Sequence, residues 1–251
     1  MTTILSVEGL VKRFRGVHAS DGIDFDLRQG EIHAVIGPNG AGKTTFINQL
    51  AGEILPDAGR IVMDGVDITR APVHRRAALG LARSYQITAV FDELTVLENV
   101  MLAAQGRTGH CFQFIRAAAN DARVTAAARH AIELVGLAAF ADCPAADLSH
   151  GAKRQLELAM AVSLRPRILL LDEPMAGTGS AESREMVELL RRLRTEAAIV
   201  LVEHDLEAVF ALADRISVLV YGKVIVTGAA QDIRSNALVR EAYIGEGEEV
   251  I

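Results

Sequence analysis

The 251-residue sequence has no tryptophan and few other aromatic residues, which together make up 4% of the chain. This shortage argues against a protein that binds single-stranded nucleic acid by stacking bases on its side chains. The formal net charge of −6 argues in the same direction, because proteins that bind phosphate backbones usually carry a basic surplus. We therefore expect no nucleic acid among its partners.

Cysteines and long apolar runs are scarce as well. Cys111 and Cys143 lie far apart, without the paired spacing of a zinc site, which favours two reduced cysteines in a reducing compartment over a disulfide. Apolar runs such as "AAIVLV" and "ILLL" are far shorter than the roughly 20 residues that a bilayer requires. The N-terminal "MTTILSVEGL" lacks the pattern of a signal peptide. We expect a soluble chain that reaches a membrane only through a partner.

The rest of the sequence alternates between apolar strands and helices. Short β-rich segments fill the first part, and helical periodicity begins at about residue 95 with a capping box at Thr95 and Glu98. A helix in this part stops at Gly136, and after residue 166 strands and helices alternate up to a hairpin that turns at Gly222 and Lys223. The pattern predicts an α/β fold over 1–251, with a mostly parallel sheet, an N-terminal antiparallel β portion and an inserted helical region.

A glycine-rich stretch, "GPNGAGKTT", follows the strand-like "EIHAVI" and matches the phosphate-binding motif G-x-x-x-x-G-K-[ST] in full. In this motif backbone N–H groups surround phosphate oxygens, the lysine reaches the β- and γ-phosphates, and the next hydroxyl binds Mg²⁺. The alternative is a plain glycine-rich turn between a strand and a helix. The complete motif favours a P-loop NTPase core, in which Thr44 is also a metal ligand and the nucleotide-binding residues are Gly37, Pro38, Asn39, Gly40, Ala41, Gly42, Lys43, Thr44 and Thr45.

Two carboxylates end the apolar run of "ILLLDEP", which is typical of a strand buried on both faces. An acid at this position can hold Mg²⁺, and a second acid can orient the attacking water and take its proton. We predict the metal role for Asp172 and the role of general base for Glu173. A solvated acidic turn is the alternative, and the phosphate-binding motif argues against it.

His204 follows the apolar "AIVLVE" as Gly37 and Asp172 follow their strands. The carboxyl ends of strands form the ligand edge of an open parallel sheet, so a phosphate-binding loop, a metal-binding acid and an imidazole should converge there. A single histidine is more often structural. Beside a phosphate-binding loop and a metal-binding acid, however, we predict that His204 contacts the γ-phosphate.

Read in order, these residues resemble the ATP-binding subunits of ABC transporters, and the resemblance covers nearly the whole chain. Its most specific element is "LSHGAKRQ", which is similar to the ABC signature. The resemblance implies that the nucleotide is ATP with Mg²⁺, and that two cassettes, identical or paralogous, pack head to tail. Ser149 and Gly151 would then contact the γ-phosphate of ATP held by the other copy. An ordinary helix N-cap is the alternative for Ser149, and one serine can fill both roles.

Two further positions follow from the resemblance. Phe14 resembles the aromatic residue that stacks on adenine, with a core phenylalanine as the alternative. Gln86 in "GLARSYQ" resembles the glutamine that contacts Mg²⁺ and tethers an inserted helical subdomain, here at approximately 88–165, with a surface polar residue as the alternative.

The sequence departs from the family pattern at three positions. His150 and Ala152 stand in the signature where Gly and Gln are common, although Ser149 and Gly151 are retained. Gly179 stands where the family usually has an acidic or amide side chain, so coupling between two copies at this loop is weaker or differently made. We assign no side-chain role to Gly179.

Stretches such as "LTVLENVMLAA" and "AYIGEGEEV" most resemble the ATPases of branched-chain amino acid importers. This resemblance implies transmembrane permease subunits as partners, a substrate-binding protein as an indirect partner, and a place at the cytoplasmic face of the membrane. Importers of urea, short amides or aromatic acids use similar ATPases. We expect a permease to dock on Val90, Phe91, Leu94 and Val96, with burial inside the helical region as the alternative.

Three other classes of protein fit the sequence less well. A GTPase would carry an Asn-Lys-x-Asp motif, whereas Lys12, Lys43, Lys153 and Lys223 follow Val, Gly, Ala and Gly. A non-transport ABC ATPase would usually carry a second cassette or a long coiled coil. A regulatory module with an inactive nucleotide site would not need an intact set of catalytic residues.

Overall fold

The computed structural model describes residues 2–84, 90–106, 122–177 and 179–244. Its strands are β1 (Thr3–Phe14), β2 (Val17–Arg28), β3 (Ile32–Ile36), β4 (Ala58–Met63), β5 (Val66–Asp67), β6 (Leu81–Arg83), β7 (Ile168–Asp172), β8 (Ala198–Val202), β9 (Arg215–Val220) and β10 (Lys223–Gly228). Its α-helices are α1 (Lys43–Ala51), α2 (Val73–Ala78), α3 (Val96–Gln105), α4 (Ala122–Leu134), α5 (His150–Ser163), α6 (Ser180–Leu193), α7 (Leu206–Leu212), α8 (Ala230–Ser235) and α9 (Ala237–Ile244).

Two sheets organise these elements. The first is antiparallel, with the strand order β2-β1-β4-β5. The second has the order β10-β9-β3-β8-β7-β6, in which β10 pairs antiparallel and every other pairing is parallel. This arrangement confirms the predicted α/β fold with a mostly parallel sheet and an N-terminal antiparallel portion.

The central strands of the second sheet are buried along their whole length. Every residue of β3, β7 and β8 is buried. Side chains of β3 alternate between two apolar clusters, since Ala34 and Ile36 pack towards α3, α4 and α5 while Val35 packs towards α1 and the antiparallel sheet. Parallel strands covered on both faces read as continuous apolar runs, which is why these segments are so uniform in the sequence.

The helical region lies between β6 and β7 in the chain. Its helices α3, α4 and α5 pack on one another, and α3 begins with the predicted capping box. The Glu98 amide donates to Thr95 Oγ1 at 3.1 Å, and the Thr95 amide donates to Glu98 Oε2 at 2.8 Å. Gly136, with φ 82°, follows α4 as predicted. The subdomain limits of 88–165 remain a prediction.

Two local expectations need correction, and two short elements carry no signal in the sequence. The final hairpin turns at Tyr221 and Gly222, both with positive φ, and Lys223 already pairs with Val220, because a two-residue turn of this hand needs two left-handed residues. The short elements α2 and β6 were not predicted from the sequence, since both are too short to show a period. Val96 is 0% exposed and belongs to the core, so it offers no surface to a permease.

Arg76 of α2 holds the carboxyl end of α1. Its guanidinium is buried and donates to the carbonyls of Gln49 at 2.6 Å and Leu50 at 2.7 Å, and to those of Thr69 and Ala71. Burial lowers the pKa of Arg76 to about 10, which leaves the group charged at neutral pH. A cation at this end of a helix satisfies the last carbonyls and complements the helix dipole. Helix α1, which follows the phosphate-binding loop, is thereby fixed at its far end.

None of the helices in the described ranges combines the length and the apolar composition needed to span a membrane.

His33 gives the fold a dependence on pH. The ring is buried, stacks on Phe25, and contacts the Asp26 carbonyl at 2.8 Å and Ser217 Oγ at 2.9 Å. Burial lowers the pKa of His33 to about 4, from 6.5 for an ordinary histidine. The unfolded chain therefore binds a proton on this side chain at a pH where the folded chain does not, and stability is lost as pH falls from about 6.5 towards 4.

We expect the free energy of unfolding of the wild type to fall by roughly 2 kcal/mol more than that of His33→Gln between pH 7.5 and pH 5. Denaturant unfolding of both proteins at the two pH values measures this difference, and the variant serves as the control for every other titrating group. Equal losses in the two proteins would contradict the assignment.

Candidate active site

The phosphate-binding loop connects β3 to α1, and two of its three glycines are required by close backbone contacts. Gly37 and Gly42 have φ values of 154° and 106°. A Cβ on Gly37 would lie 2.0 Å from the Leu219 carbonyl oxygen, and one on Gly42 would lie 2.1 Å from the Ala19 carbonyl oxygen. The loop therefore lies directly on β9 and β2, and a side chain at either glycine would displace it.

The start of α1 is suited to an anion. Its N-cap, Gly42, supplies no side-chain hydrogen bond, and the first turn contains no acidic residue. Lys43 is buried, and its ammonium group donates to the carbonyls of Gly37 and Pro38. Thr44 is exposed in the same turn and Thr45 is half-buried. Backbone N–H groups, a helix dipole and an ammonium group thus converge on one place, as phosphate binding requires.

Asp172 ends β7 with a side chain that is 5% exposed. Burial raises the pKa of Asp172; the charge of Arg83 acts against this rise and that of Glu173 adds to it. A buried carboxylate needs a positive partner to remain ionised. Arg83 supplies one at 3.1 Å in this structure, and a divalent cation would supply another.

Arg83 was not singled out from the sequence. It ends β6, next to β7, and its guanidinium also contacts Asn48 Oδ1 at 2.5 Å and Glu53 Oε2 at 2.9 Å. It therefore joins Asp172 to the end of α1 and the residues that follow it. A lone arginine after "GLA" carries no spacing signal, so only the pairing of β6 with β7 reveals this contact.

Glu173 lies in a left-handed backbone conformation, with φ 51°. Its amide donates to the Val202 carbonyl at 2.8 Å, and its carbonyl accepts a hydrogen bond from Arg154 of α5 at 2.7 Å. This conformation is uncommon for a residue with a side chain and persists only when neighbours hold it. The Glu173 side chain is 27% exposed.

His204 follows β8, the strand beside β7, and its Nδ1 lies 3.8 Å from Glu173 Oε1. Its side chain is 57% exposed. The two groups therefore stand together at the carboxyl edge of the sheet, where β3 also delivers the phosphate-binding loop. Gly37 follows β3, Asp172 ends β7 and His204 follows β8, and these are three neighbouring parallel strands, so the three residues reach the same edge of the sheet as predicted.

The loops after β7 and β8 share a buried carboxylate that the sequence did not single out. Glu203 accepts hydrogen bonds from the Met175 amide at 2.7 Å and the His204 amide at 3.1 Å. Burial raises the pKa of Glu203, against the effect of the backbone N–H groups of Met175, His204 and Asp205.

Ser149 is the N-cap of α5, and its side chain accepts a hydrogen bond from the Ala152 amide at 3.3 Å. The simpler of its two predicted roles is therefore present. Gly151 lies in the first turn, which contains no acidic residue. Among the described residues, no hydrogen bond joins this helix start to the phosphate-binding loop of the same chain. The amino end of α5 is thus a second helix start, besides that of α1, that suits an anion.

Phe14 ends β1 on the surface, with 46% of the residue exposed, and Lys12 Nζ lies 5.5 Å from its ring centroid. This exposure excludes the alternative of a core phenylalanine. Gln86 lies outside the described residues, so its role stays a prediction. Gly179 is the N-cap of α6, and its amide contacts Glu182 Oε2 at 3.3 Å.

The donor groups at this edge match magnesium better than a transition metal. Within the described ranges, no group of three or more His, Cys, Asp or Glu side chains is arranged to hold a metal ion. Mg²⁺ needs only one or two protein oxygens, since water and substrate phosphates complete its octahedron. The Asp172 carboxylate and the Thr44 hydroxyl are oxygen donors of this kind.

Known proteins place the chain in a family. The sequence profile of the ABC transporter family matches residues 20–176. The high-affinity branched-chain amino acid transport ATP-binding protein BraF of Pseudomonas aeruginosa is 37% identical over 97% of this chain and 98% of its own length. The corresponding protein LivG of Salmonella typhimurium is 38% identical over the same shares.

Solved structures agree with these relatives. The ADP conformation of an ATP-binding cassette of an ABC transporter matches 98% of this chain and 100% of its own length, with a TM-score of 0.85 and 27% identity. The profile covers more than half of the chain, and the relatives cover nearly all of it at more than 30% identity. The chain therefore belongs to the ABC transporter family, as one of its ATP-binding cassettes.

Proposed function

We propose that the chain is the ATPase subunit of an importer of branched-chain amino acids and acts at the cytoplasmic face of the membrane. The observation that carries the catalytic part is the convergence of the phosphate-binding loop, Asp172, Glu173 and His204 at one edge of the parallel sheet. The substrate class is supported by relatives of nearly equal length that are named for branched-chain amino acid transport.

In the proposed site the triphosphate lies on the loop and the amino end of α1. Backbone N–H groups of the loop and of Thr44 and Thr45 bind phosphate oxygens, and Lys43 exchanges its two loop carbonyls for the β- and γ-phosphates. The exposed ring of Phe14 offers a flat surface on which adenine stacks.

Asp172, Thr44 and Gln86 are the proposed Mg²⁺ ligands. Mg²⁺ held there would neutralise charge on the phosphate oxygens while the γ-phosphoryl group is transferred to water. Asp172 is oriented towards this role by its place at the end of a buried strand, and the Arg83 contact favours its charged form when the cation is away.

Glu173 is the proposed general base and His204 the proposed γ-phosphate contact. The Glu173 carboxylate orients the attacking water and accepts its proton, while the imidazole donates a hydrogen bond to a γ-phosphate oxygen. The separation of 3.8 Å between Nδ1 and Oε1 brings both groups within reach of one phosphate and one water.

A second cassette completes the site. The amino end of α5, with the Ser149 hydroxyl and the Gly151 amide, would close over ATP held by the other copy. Loss of the γ-phosphate on hydrolysis removes the group that both copies bind, so ATP drives closure and hydrolysis permits opening.

The permease would dock beside α3. Phe91 is 54% exposed, and Val90 and Leu94 are half-buried beside it. The Asn99 side chain holds this loop through the Phe91 amide at 2.8 Å and the Phe91 carbonyl at 3.0 Å. An exposed apolar side chain on a loop that is held in this way suits contact with a short helix from a transmembrane subunit.

Glu173→Gln keeps the size of the side chain and removes the base. We expect turnover to fall by about 10²–10⁴-fold while ATP binding persists, because the base acts only in the chemical step. Steady-state hydrolysis and ATP-dependent dimer formation on a sizing column measure the two effects. The exposed Glu185→Gln is the matched control, and hydrolysis at the wild-type rate in Glu173→Gln would remove Glu173 from its role.

Two inactive variants test the shared site when mixed. Lys43→Ala disables the loop of one chain and Ser149→Arg disables the helix start of another, so a mixed dimer keeps one complete site only if each site uses both chains. We expect an equal mixture to recover up to roughly a quarter of the wild-type sites, assayed by retained ATP and by hydrolysis. The control variant Ser235→Arg changes an exposed serine and should hydrolyse ATP at the wild-type rate. A mixture as inactive as its components would contradict head-to-tail sharing between two copies of this chain.

The substrate class is tested with the purified complex of this chain, its partner ATPase and its permeases. We expect a binding protein loaded with L-leucine to stimulate ATP hydrolysis several-fold more than the empty protein. Urea, acetamide and L-phenylalanine serve as the comparison ligands. Stimulation by one of these and not by leucine, isoleucine or valine would overturn the proposed substrate class while leaving the ATPase assignment intact.

A further inference from the structure

Glu203 is a carboxylate with 0% exposure that no step of the proposed mechanism uses. It stands between β8 and His204, and its acceptor contacts are to main-chain amides. The Met175 amide donates to Oε1 at 2.7 Å and the His204 amide donates to Oε2 at 3.1 Å. The Asp205 amide interacts with the same carboxylate. One side chain thus binds the backbone of two separate loops.

These two loops carry the proposed catalytic pair. Met175 lies two residues after Glu173, and His204 is the residue next to Glu203. The strands before them pair in register, with Asp172 opposite Val202, so the loops leave the sheet side by side. The Glu173 amide still bonds the Val202 carbonyl at 2.8 Å, and beyond this contact the Met175 amide bonds Glu203, so a side chain continues the link between the two segments.

Burying the Glu203 carboxylate costs free energy that a purely structural role would not require. A buried charge destabilises the fold unless several hydrogen bonds compensate it. An ionised carboxylate accepts hydrogen bonds through both oxygens and donates none, which is what neighbouring N–H groups from two loops require.

We propose that Glu203 is a positioning residue that sets the distance and orientation of His204 relative to Glu173. This inference rests on the proposed roles of those two residues. Glu173 and His204 need a positioning residue, because Glu173 occupies a left-handed backbone conformation and the His204 side chain is 57% exposed. Both side chains are partly exposed, so their relative position depends on the backbone of the two loops, which Glu203 joins through the Met175 and His204 amides.

Glu203→Gln tests the bridge with little change in volume. The amide retains one acceptor oxygen and turns an NH₂ donor towards the other N–H group, so one of the two contacts becomes a donor–donor clash. We expect kcat to fall by about 10²-fold, the effect of a displacement near 1 Å at a reacting group, while KM for ATP changes little because the phosphate-binding loop is untouched.

A double-mutant comparison separates positioning from general damage. In a His204→Ala background the Glu203→Gln change should lower the residual rate much less than in the wild type, because the group it positions is already gone. An equal fold-loss in both backgrounds, or wild-type kcat per folded molecule in Glu203→Gln, would overturn the proposal. Glu173→Gln is measured in parallel, and unchanged hydrolysis in that variant would contradict the proposed function instead of the role of Glu203.

Hydrogen exchange supplies a readout that needs no ATPase activity. Glu203→Gln should accelerate exchange at the Met175 and His204 amides in the full chain, while amides of β3 keep their protection. Glu31→Gln is the matched control, since Glu31 is also a buried carboxylate but lies at the opposite end of the sheet against Arg215. Unchanged exchange at both amides would also overturn the proposal.

If Glu203→Gln does not fold, Glu203→Asp takes its place. It keeps the charge and both acceptor oxygens but draws the carboxylate back by one methylene, so we expect a smaller loss of kcat and faster exchange at the same two amides. Wild-type values for both would contradict the bridge.

Discussion

Parallel pairing of three fully buried strands is the constraint on which the rest of this cassette depends. β3, β7 and β8 run in the same direction in one ladder, so their carboxyl ends reach the same edge of the sheet. Each strand is buried on both faces, and the ladder therefore cannot slip without exposing apolar side chains. Residues that are more than 130 positions apart, such as Gly37 and Asp172, are brought to one edge by this register alone.

The polar groups at that edge are held mainly by the main chain. The phosphate-binding loop rests against carbonyls of β9 and the start of β2, and Glu173 is held by contacts to its own amide and carbonyl. Glu203 binds amides of two loops. Backbone groups have fixed positions once the sheet has formed, so a site built on them is organised before nucleotide arrives, which favours electrostatic stabilisation without reorganisation.

Ion pairs between arginine and carboxylate side chains have different surroundings at the two ends of the parallel sheet. At the amino end, Arg215 pairs with Asp26 and Glu31 in a compact structural cluster. At the carboxyl end, Arg83 and Asp172 form a contact within reach of the nucleotide. Only the second set lies where a phosphate or a cation can compete for it. The difference follows from the direction of the strands, because loops at the carboxyl edge are the ones that line the ligand crevice.

The sequence by itself determined the fold class and singled out the candidate site residues at the ends of strands. Uniform apolar runs predicted the buried strands, the P-loop motif predicted the turn into α1, and Asp172, Glu173 and His204 were found because each directly follows such a run. These signals are local in the chain, because each is a composition or a motif within one short segment.

Only the tertiary structure decided the features that depend on pairing between distant segments. Arg83 meets Asp172 because the three-residue β6 pairs with β7, and Glu203 meets Met175 because two loops leave the sheet together. Val96 belongs to the core because α3 packs on α4 and α5, although its surroundings in the sequence suit a surface equally well. A contact between segments that are far apart in the chain leaves no period or motif in either one, and for that reason it is visible only after the chain has folded.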